Sequence, residues 1–249
     1  MRQSIKILPA VLVAGLLSAP VILSAETTAP QSDDGYKSSQ AIKSAKKEAK
    51  AAAKLSDAEQ VLKAAAGSQD QGIPKDLLEK AKCVGVFPSF RKVALGVGGE
   101  GGKGLFTCRT DAGMSGPAFF KIGGGSVGWQ AGVKEADLVL LVMDEDGMNK
   151  LLNDQVDIGK DLTAAAGPVG KDGKLTDGQT SAQLLAWSRT HGAFAGASLD
   201  GLGLRQVEDD NAEIYHRPLA AKEILTTSTD SLPVPQVAQS FVKTTEQVM

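Results

Sequence analysis

The sequence predicts an α+β fold in which helices precede and follow a region of antiparallel strands. Residues 37–66 are rich in Lys, Ala, Ser and Glu and almost free of glycine, a composition with high helix propensity. Residues 85–132 hold 14 of the 28 glycines, interleaved with short apolar runs, as in strands joined by turns. The tail beyond residue 208 returns to helical patterns. Helices, then strands, then helices favour an α+β class over a parallel βαβ fold.

The first 25 residues are predicted to be a secretory signal peptide. Arg2 and Lys6 form a short positive region, an apolar run covers Ile7–Leu23, and small residues lead to a cleavage site near Ala25. A retained membrane anchor is the alternative, but the run contains two prolines, and a spanning helix would need about 20 uninterrupted apolar residues. Cleavage would leave a mature chain with a formal charge near −4, and we expect it in the periplasm or outside the cell.

Local signals divide the mature N-terminal region. Residues 26–36 are polar and turn-rich, and are expected to form a flexible leader. Ser56–Glu59 fits a capping box, which predicts a fresh helix that ends before Gly67. Pro74 favours the start of a short helix over Lys75–Lys82.

The central strands are expected to form a meander separated by Gly and Pro turns. Their predicted positions are Cys83–Phe87, Val93–Val97, Leu105–Arg109, Ala118–Ile122, Ser126–Val133 and, as a strand buried on both faces, Asp137–Met143. A helix capped by Asp144 and a hairpin of Gln183–Arg189 with Ala193–Leu199 should follow. The predicted terminal helices cover Asp209–His216 and Leu219–Leu225, and a last one opens at Ser231.

Two cysteines in an exported chain raise the possibility of a disulfide. In a flat meander Cys83 and Cys108 would lie on strands separated by a third, about 9–10 Å apart. That spacing exceeds the roughly 7 Å that a disulfide tolerates. A curled sheet or another strand order would close the gap, so the sequence leaves the pairing open.

Composition argues against several functional classes. A formal charge of −2 and a pI near 5.8 are unlike the basic excess of a nucleic-acid-binding protein. Two cysteines and two histidines do not make a cysteine-rich zinc module. The acidic runs at 144–147 and 172–174 lack the carboxylate spacing of a calcium loop. We therefore expect no metal, no cofactor and no nucleic-acid partner.

Two glycine motifs suggest enzymes but do not have the required context. Gly96–Gly101 and Gly123–Gly128 are literal G-x-G-x-x-G runs, yet each leads into strand-like sequence rather than the helix that would hold a pyrophosphate. The second run also contains a G-x-S-x-G at Ser126, with His191 and His216 later in the chain. A hydrolase elbow requires a strand, a turn and a helix, whereas strand is expected to continue here. A hydrolase that uses Ser126 is kept as an alternative functional class beside the two binding functions given below, and no catalytic activity is predicted.

A row of lysines gives the clearest binding signal. Lys43, Lys47, Lys50 and Lys54 recur at spacings of four, three and four, with Lys46 beside them, so they share one helical face. Residues 37–63 carry a formal charge of +4 within an acidic protein. Anionic lipid would attract such a face by about 1 kcal/mol per lysine. The lysines are therefore the predicted lipid-binding residues, and a purely solvated helix is the alternative.

The opposite side of the same helix is weakly apolar. It consists of Ile42, Ala45, Ala49, Ala52 and Ala53. Alanine buries little surface, so deep insertion is not expected and membrane attachment should be sensitive to salt.

Three ordered blocks form a recognisable pattern. They are Ala81–Pro88 with Gly96–Gly104 and Arg109; residues 115–143, with a Gly-x-Gln-x-Gly core at Gly128–Gly132; and Phe194–Gly201 followed by Asn211 and Tyr215. Together they cover roughly residues 56–220 and resemble the SYLF-domain family, in a bacterial secreted form. The resemblance implies a lipid-binding module of helices on a curled, barrel-like and mostly antiparallel sheet. Its eukaryotic members bind phosphoinositides through basic N-terminal sequence, and some bind actin.

This chain differs from those eukaryotic members in its export signal, and no SH3 or FYVE module accompanies it within these 249 residues. Export argues against actin and phosphoinositides as native partners. The expected function is binding of anionic phospholipid or a membrane surface, and the alternative is a cell-envelope structural or protein-interaction module that uses the basic helix. The expected organisation is a signal peptide (1–25), a leader (26–36), a Lys/Ala-rich helix (37–55), a SYLF-type domain (56–225) and a C-terminal helix (226–249).

Overall fold

The computed structural model describes residues 33–67, 72–170, 174–190 and 192–249. The predicted signal peptide and most of the predicted leader lie outside these residues. Helix α1 spans Asp33–Gly67 without interruption, so residues 33–36 of the predicted leader belong to it. The fresh helix predicted at Ser56 is wrong, because the helix-favouring residues on both sides of Ser56 continue one helix through it.

Helix α1 is held by one face. The spacing of three and four residues brings one row of apolar side chains into the core: Ala51, Leu55, Ala58, Leu62 and Ala65. Helix α2 (Lys75–Lys80) follows Pro74 as predicted, because proline suits the first turn of a helix.

The central region contains two long strands rather than five or six short ones. Strand β1 spans Cys83–Thr110 and β3 spans Ala118–Val142, and the two pair antiparallel along nearly their whole length. A short strand β2 (Gly113–Met114) turns back onto the end of β1. The predicted glycine turns within this region are wrong. Three pairs of these glycines instead face one another across the β1–β3 ribbon: Gly96–Gly128, Gly99–Gly125 and Gly101–Gly123. The backbones approach so closely here that a Cβ at Gly101 would lie 2.9 Å from the carbonyl oxygen of Ile122.

The ribbon curls so strongly that the two ends of β1 meet. Cys83 and Cys108 form a disulfide with their Cα atoms 3.9 Å apart, and the Arg109 amide donates to the Lys82 carbonyl at 2.7 Å. The separation expected from a flat three-stranded meander is therefore wrong, since both cysteines lie on one strand that closes on itself. Glycine at position 85 leaves room for the Phe106 ring at this closure.

The remaining strands extend the curled sheet along β3. They are β4 (Gln155–Asp157), β5 (Ala164–Ala166), β6 (Leu184–Thr190), β7 (Ala193–Gly196) and β8 (Gly203–Gln206). Strand β6 pairs antiparallel with β3 and forms the predicted hairpin with β7, whereas β8 pairs with the other end of β3 and with β4. Only the β5–β6 pair among these strands is parallel. The described part of the sheet is a half-barrel of mostly antiparallel strands, as expected.

Helices lie at both ends of the chain. Between and after the strands they are α3 (Glu145–Leu151), α4 (Asp177–Thr180), α5 (Glu208–Tyr215), α6 (Ala221–Thr226) and α7 (Gln239–Val248). The Asp144 side chain caps α3 as predicted, accepting from the Gly147 amide at 2.6 Å. The last helical segment begins at Gln236, not at Ser231, because Pro235 holds the preceding residue out of helical geometry. Helix α7 packs on α1, where the Thr244 hydroxyl donates to Glu59 at 3.2 Å. The predicted α+β class is confirmed.

Candidate functional site

The predicted lysine row lies on the N-terminal half of α1. Lys43, Lys46, Lys47 and Lys50 are exposed, whereas Lys54 is partly buried. This half of α1 rests on α5, where the Ser44 hydroxyl donates to Glu213 at 2.6 Å. Four of the five lysines are thus presented to solvent on a helix that is itself anchored to the domain.

The predicted apolar side of α1 does not face the core. Ile42 is 66% exposed and the alanines at 45, 49 and 53 are also exposed. The core contact is made instead by the row that contains Ala51 and Leu55, which lies between the lysines and the alanines around the helix. Both sides that the sequence singled out are therefore on the surface, and Ile42 is the large apolar residue among them.

Lys54 differs from the other four lysines. Its Nζ atom donates to the Pro88 carbonyl oxygen of β1 at 3.2 Å. Burial lowers the pKa of the Lys54 ammonium, although the nearby Asp57 carboxylate acts to raise it. Lys54 is therefore held against the β-ribbon rather than offered to a ligand, and the predicted set of five lysines divides into four exposed residues and one docked residue.

The β-ribbon segment beside Lys54 carries an exposed pair of valines. Val93 and Val133 are cross-strand partners on β1 and β3, and are 41% and 68% exposed. On the same face, one pair closer to α1, Arg91 donates to Glu135 at 2.9 Å. Hydrogen bonds from Ser89 and Arg91 lower the pKa of the Glu135 carboxyl. Sequence reasoning missed this cluster, because only the strand register brings residues 91–93 next to residues 133–135.

The other face of the same ribbon segment borders a small cavity of about 210 Å³. Phe90, Leu138 and Leu199 contribute apolar surface, and Lys92 and Lys134 lie at its edge. These two lysines are direct cross-strand partners, and Lys92 forms an ion pair with Glu100 at 3.1 Å. The cavity is smaller than the roughly 300 Å³ at which small-molecule pockets begin.

The glycine motifs are placed in strands. Residues 96–101 and 123–128 pair with each other across the β1–β3 ribbon, and neither run opens a helix. Ser126 has strand backbone opposite Gly98, so the strand–turn–helix of a hydrolase elbow does not form there. His191 lies outside the described residues, and His216 is exposed at the end of α5.

Asn211 and Tyr215, which follow the third block of the family-like sequence pattern, have structural contacts. The buried Asn211 side chain accepts a hydrogen bond from the Phe119 amide at 2.7 Å. The Tyr215 hydroxyl donates to the Pro117 carbonyl at 3.1 Å, and burial raises the pKa of this phenol. Gly116 supplies the space that the Tyr215 hydroxyl occupies. These two residues therefore fasten α5 to the start of β3.

Within the described ranges, no group of three or more His, Cys, Asp or Glu side chains is arranged to hold a metal ion. The helices formed by these residues include none with the length and apolar character needed to cross a bilayer.

Comparison with known proteins identifies relatives of the chain. The sequence profile of the family Ysc84, described as "Las17-binding protein actin regulator", matches residues 123–248, from β3 through α7. An SH3 domain-containing protein of Schizosaccharomyces pombe is 31% identical over 159 residues, which are 62% of this chain and 37% of the relative.

Two further relatives align over similar lengths. LAS seventeen-binding protein 3 of Saccharomyces cerevisiae is 27% identical over 162 residues (63% of this chain and 35% of the relative). The human SH3 domain-containing YSC84-like protein 1 is 29% identical over 176 residues (69% and 50%). The chain thus spans half or less of the length of these relatives. Because the family profile covers half of the chain and named members align with it, the chain belongs to the Ysc84 family, the SYLF-domain family that its motifs resemble.

Proposed function

We propose that this chain is an exported member of the family that binds an anionic membrane surface through α1 and catalyses no reaction. The observation that carries the proposal is the exposure of Lys43, Lys46, Lys47 and Lys50 on a helix whose core contact lies on another face. Because α1 is docked on α5, the four ammonium groups are displayed without a folding step on binding.

Electrostatic attraction sets the strength expected of this contact. Each lysine near an anionic surface contributes about 1 kcal/mol, so the four exposed lysines supply at most about 4 kcal/mol. Glu48 lies among them and subtracts from this total. Among the α1 side chains whose burial the structure describes, Ile42 is the large apolar one exposed beside them. Attachment through α1 alone is therefore peripheral, reversible and weakened by salt.

The disulfide supports the export part of the proposal. Cystines persist in oxidising compartments such as the periplasm and the extracellular space, and are rare in the cytosol. The Cys83–Cys108 bond, together with the signal-like sequence of residues 1–25, favours a periplasmic or secreted protein. Strand geometry at Ser126 supports the absence of hydrolase chemistry.

The test is co-sedimentation of the full chain, purified after export, with neutral and with anionic vesicles at low and moderate salt. Replacing Lys43, Lys46, Lys47 and Lys50 with Glu should abolish binding that depends on anionic lipid. The matched control makes the same charge change at four exposed lysines elsewhere: Lys75, Lys160, Lys222 and Lys243. Equal binding of both variants and the wild type would overturn α1 as the contact.

A second candidate is a protein-interaction module in which the basic α1 docks on an acidic partner. The family description and the yeast relative's name, which refer to Las17 binding and actin regulation, favour this candidate. Export argues against actin itself, so filamentous actin is included as a separate sedimentation arm. Failure to bind either kind of vesicle, with co-sedimentation on actin that the four-lysine variant loses, would favour the protein-interaction module over the membrane.

A further inference from the structure

The β1–β3 ribbon beside α1 presents two chemically different faces. Side chains alternate between the faces of a strand. Phe90, Lys92, Lys134 and Leu138 border the cavity described above, so strand alternation places Arg91, Val93 and Val133 on the opposite face. Glu135 also borders the cavity, and its carboxylate accepts from Arg91 at 2.9 Å. Among the ribbon side chains whose burial the structure describes, these two valines are the exposed large apolar pair.

This valine-bearing face adjoins Lys54, the last lysine of the α1 row. Lys54 contacts the ribbon at Pro88, and its ammonium is influenced by the charges of both Glu135 and Arg91. Lys50 and Lys47 lie one and two turns before Lys54 along the same side of the helix. From Lys54 toward its N-terminus, α1 carries the exposed lysines. Along the ribbon, the Arg91–Glu135 pair comes first after the Lys54 contact, and the Val93–Val133 pair follows it.

We propose that Val93 and Val133 form an apolar wedge that enters the acyl boundary of an anionic bilayer while the lysines of α1 contact its headgroups. This inference rests on the proposed membrane function and assigns to it the apolar contact that α1 lacks. An interfacial contact combines buried apolar surface with electrostatic attraction to anionic lipid. The ribbon supplies the apolar surface, and the helix supplies the electrostatic attraction.

Charge complementarity favours a bilayer of anionic lipid as the occupant. Lys92 and Lys134 are neighbours of the valines in sequence but lie on the cavity face, so they do not supply charge beside the valine pair. On the valine face Arg91 is paired with Glu135, and the exposed positive charge comes from Lys43, Lys47 and Lys50 of α1. Anionic headgroups attracted by these lysines would bring the acyl boundary to the valine pair.

The first experiment replaces both valines with threonine, which keeps their shape and β-branching but adds a hydroxyl. Val93→Thr/Val133→Thr should partition about tenfold more weakly into anionic vesicles than the wild type, with the salt dependence unchanged. The control makes the same substitutions at the exposed valines Val169 and Val237, which are 44% and 37% exposed and lie outside the ribbon. Circular dichroism checks that both variants retain the fold.

The second experiment measures insertion directly. Val133→Cys carries the one unpaired thiol beside the Cys83–Cys108 disulfide, and is labelled with an environment-sensitive nitrobenzoxadiazole dye. On anionic vesicles the dye emission should shift to the blue and be quenched by a lipid-borne quencher, while the same dye at Val169→Cys should stay in water. A dye at position 133 that stays in water on bound protein would overturn the wedge.

The outcomes separate the wedge from the α1 contact. If the wild type binds no anionic vesicle, both proposals fail. If the four-lysine variant loses binding but the valine variant behaves as its control, the wedge is wrong and the α1 contact stands. If the valine variant loses binding but the four-lysine variant does not, the valines are the membrane contact, and both the α1 contact and the headgroup role that the wedge gives to the α1 lysines are wrong.

Discussion

Cys83 and Cys108 are joined by a disulfide although they lie near opposite ends of a single strand, 25 positions apart in the sequence. Both residues are completely buried, and the bond closes β1 onto itself. The hydrogen bond from the Arg109 amide to the Lys82 carbonyl continues the closure beyond the cystine. The curl of the half-barrel is thus fixed covalently at the point where the ribbon returns to its start.

Removing this bond should destabilise the protein. A cross-link over a loop of this length restricts the unfolded chain by about 3 kcal/mol. Cys83→Ser/Cys108→Ser should therefore unfold at lower urea concentration with a free energy of unfolding reduced by about that amount. A reductant should shift the midpoint of the wild type toward that of the variant and leave the variant unchanged. A wild-type midpoint insensitive to reductant under unfolding conditions would contradict the prediction.

A side chain at position 116 should destabilise the fold, because the Tyr215 hydroxyl occupies the space beside Gly116. A Cβ at position 116 would overlap the Tyr215 hydroxyl, which donates to the Pro117 carbonyl. Gly116→Ala should cost about 2 kcal/mol of unfolding free energy, as overpacking in a core does. In a Tyr215→Phe background the same substitution should cost less, because the overlapping oxygen is gone. Equal costs in both backgrounds, measured by urea unfolding as a double-mutant cycle, would show that the hydroxyl is not the obstacle.

The sequence predicted elements whose signals are local. Pro74 marked the start of α2, and Asp144 marked the cap of α3, because each acts on the backbone within one turn. Where a residue acts through a distant partner, the sequence does not identify that partner. The glycines of 96–101 predict tight turns or close backbone packing; the structure shows packing at Gly101, against the backbone of Ile122 across the ribbon.

The candidate site shows the same division. Helical spacing correctly placed Lys43, Lys47 and Lys50 together on the surface, since their relation is set within α1. No local signal showed that Lys54 would dock on Pro88, which is 34 positions away. The pairing of Val93 with Val133 depends on a strand register that is set by the whole curled ribbon, so spacing alone could not reveal it.

The α1–α7 contact should weaken in acid because of Glu59. Burial acts to raise the pKa of this carboxyl, but hydrogen bonds from Lys63, Ser240 and Thr244 outweigh it and hold the pKa below 4.5. A depressed carboxyl pKa stabilises the fold above the unfolded value, and this contribution is lost as the pH falls through the folded pKa. Glu59→Gln should therefore be less stable than the wild type at neutral pH, and the difference should shrink below pH 4.5.

The measurement for Glu59 is urea unfolding across this acid range. Glu79→Gln provides the control. Glu79 forms an exposed ion pair with Lys75 at 3.0 Å, and this ion pair involves neither α1 nor α7. A stability difference between Glu59→Gln and the wild type that stays constant with pH would show that the ionised carboxylate is not what joins the two helices.

Removing the charge of Lys47 should weaken vesicle binding, whereas removing the charge of Lys54 should hardly change it. Lys47 is exposed, so Lys47→Met should weaken partitioning into anionic vesicles about fivefold, the equivalent of about 1 kcal/mol, and leave the unfolding free energy unchanged. Lys54 is already held by the Pro88 carbonyl, so Lys54→Met should change vesicle binding less than twofold, on the order of the smallest single-charge effects.

The charge of Lys54 should appear instead in the pH dependence of stability. Burial lowers the pKa of its ammonium from 10.5, so the folded chain releases this proton before the unfolded chain does. Between the lowered pKa and 10.5 the unfolded state binds more protons, and stability therefore rises with pH. Relative to Lys54→Met, the wild type should gain stability over that alkaline interval, whereas Lys47→Met should follow the wild type. A parallel course for all three proteins would show that Lys54 is solvated like its neighbours and belongs with the exposed lysines after all.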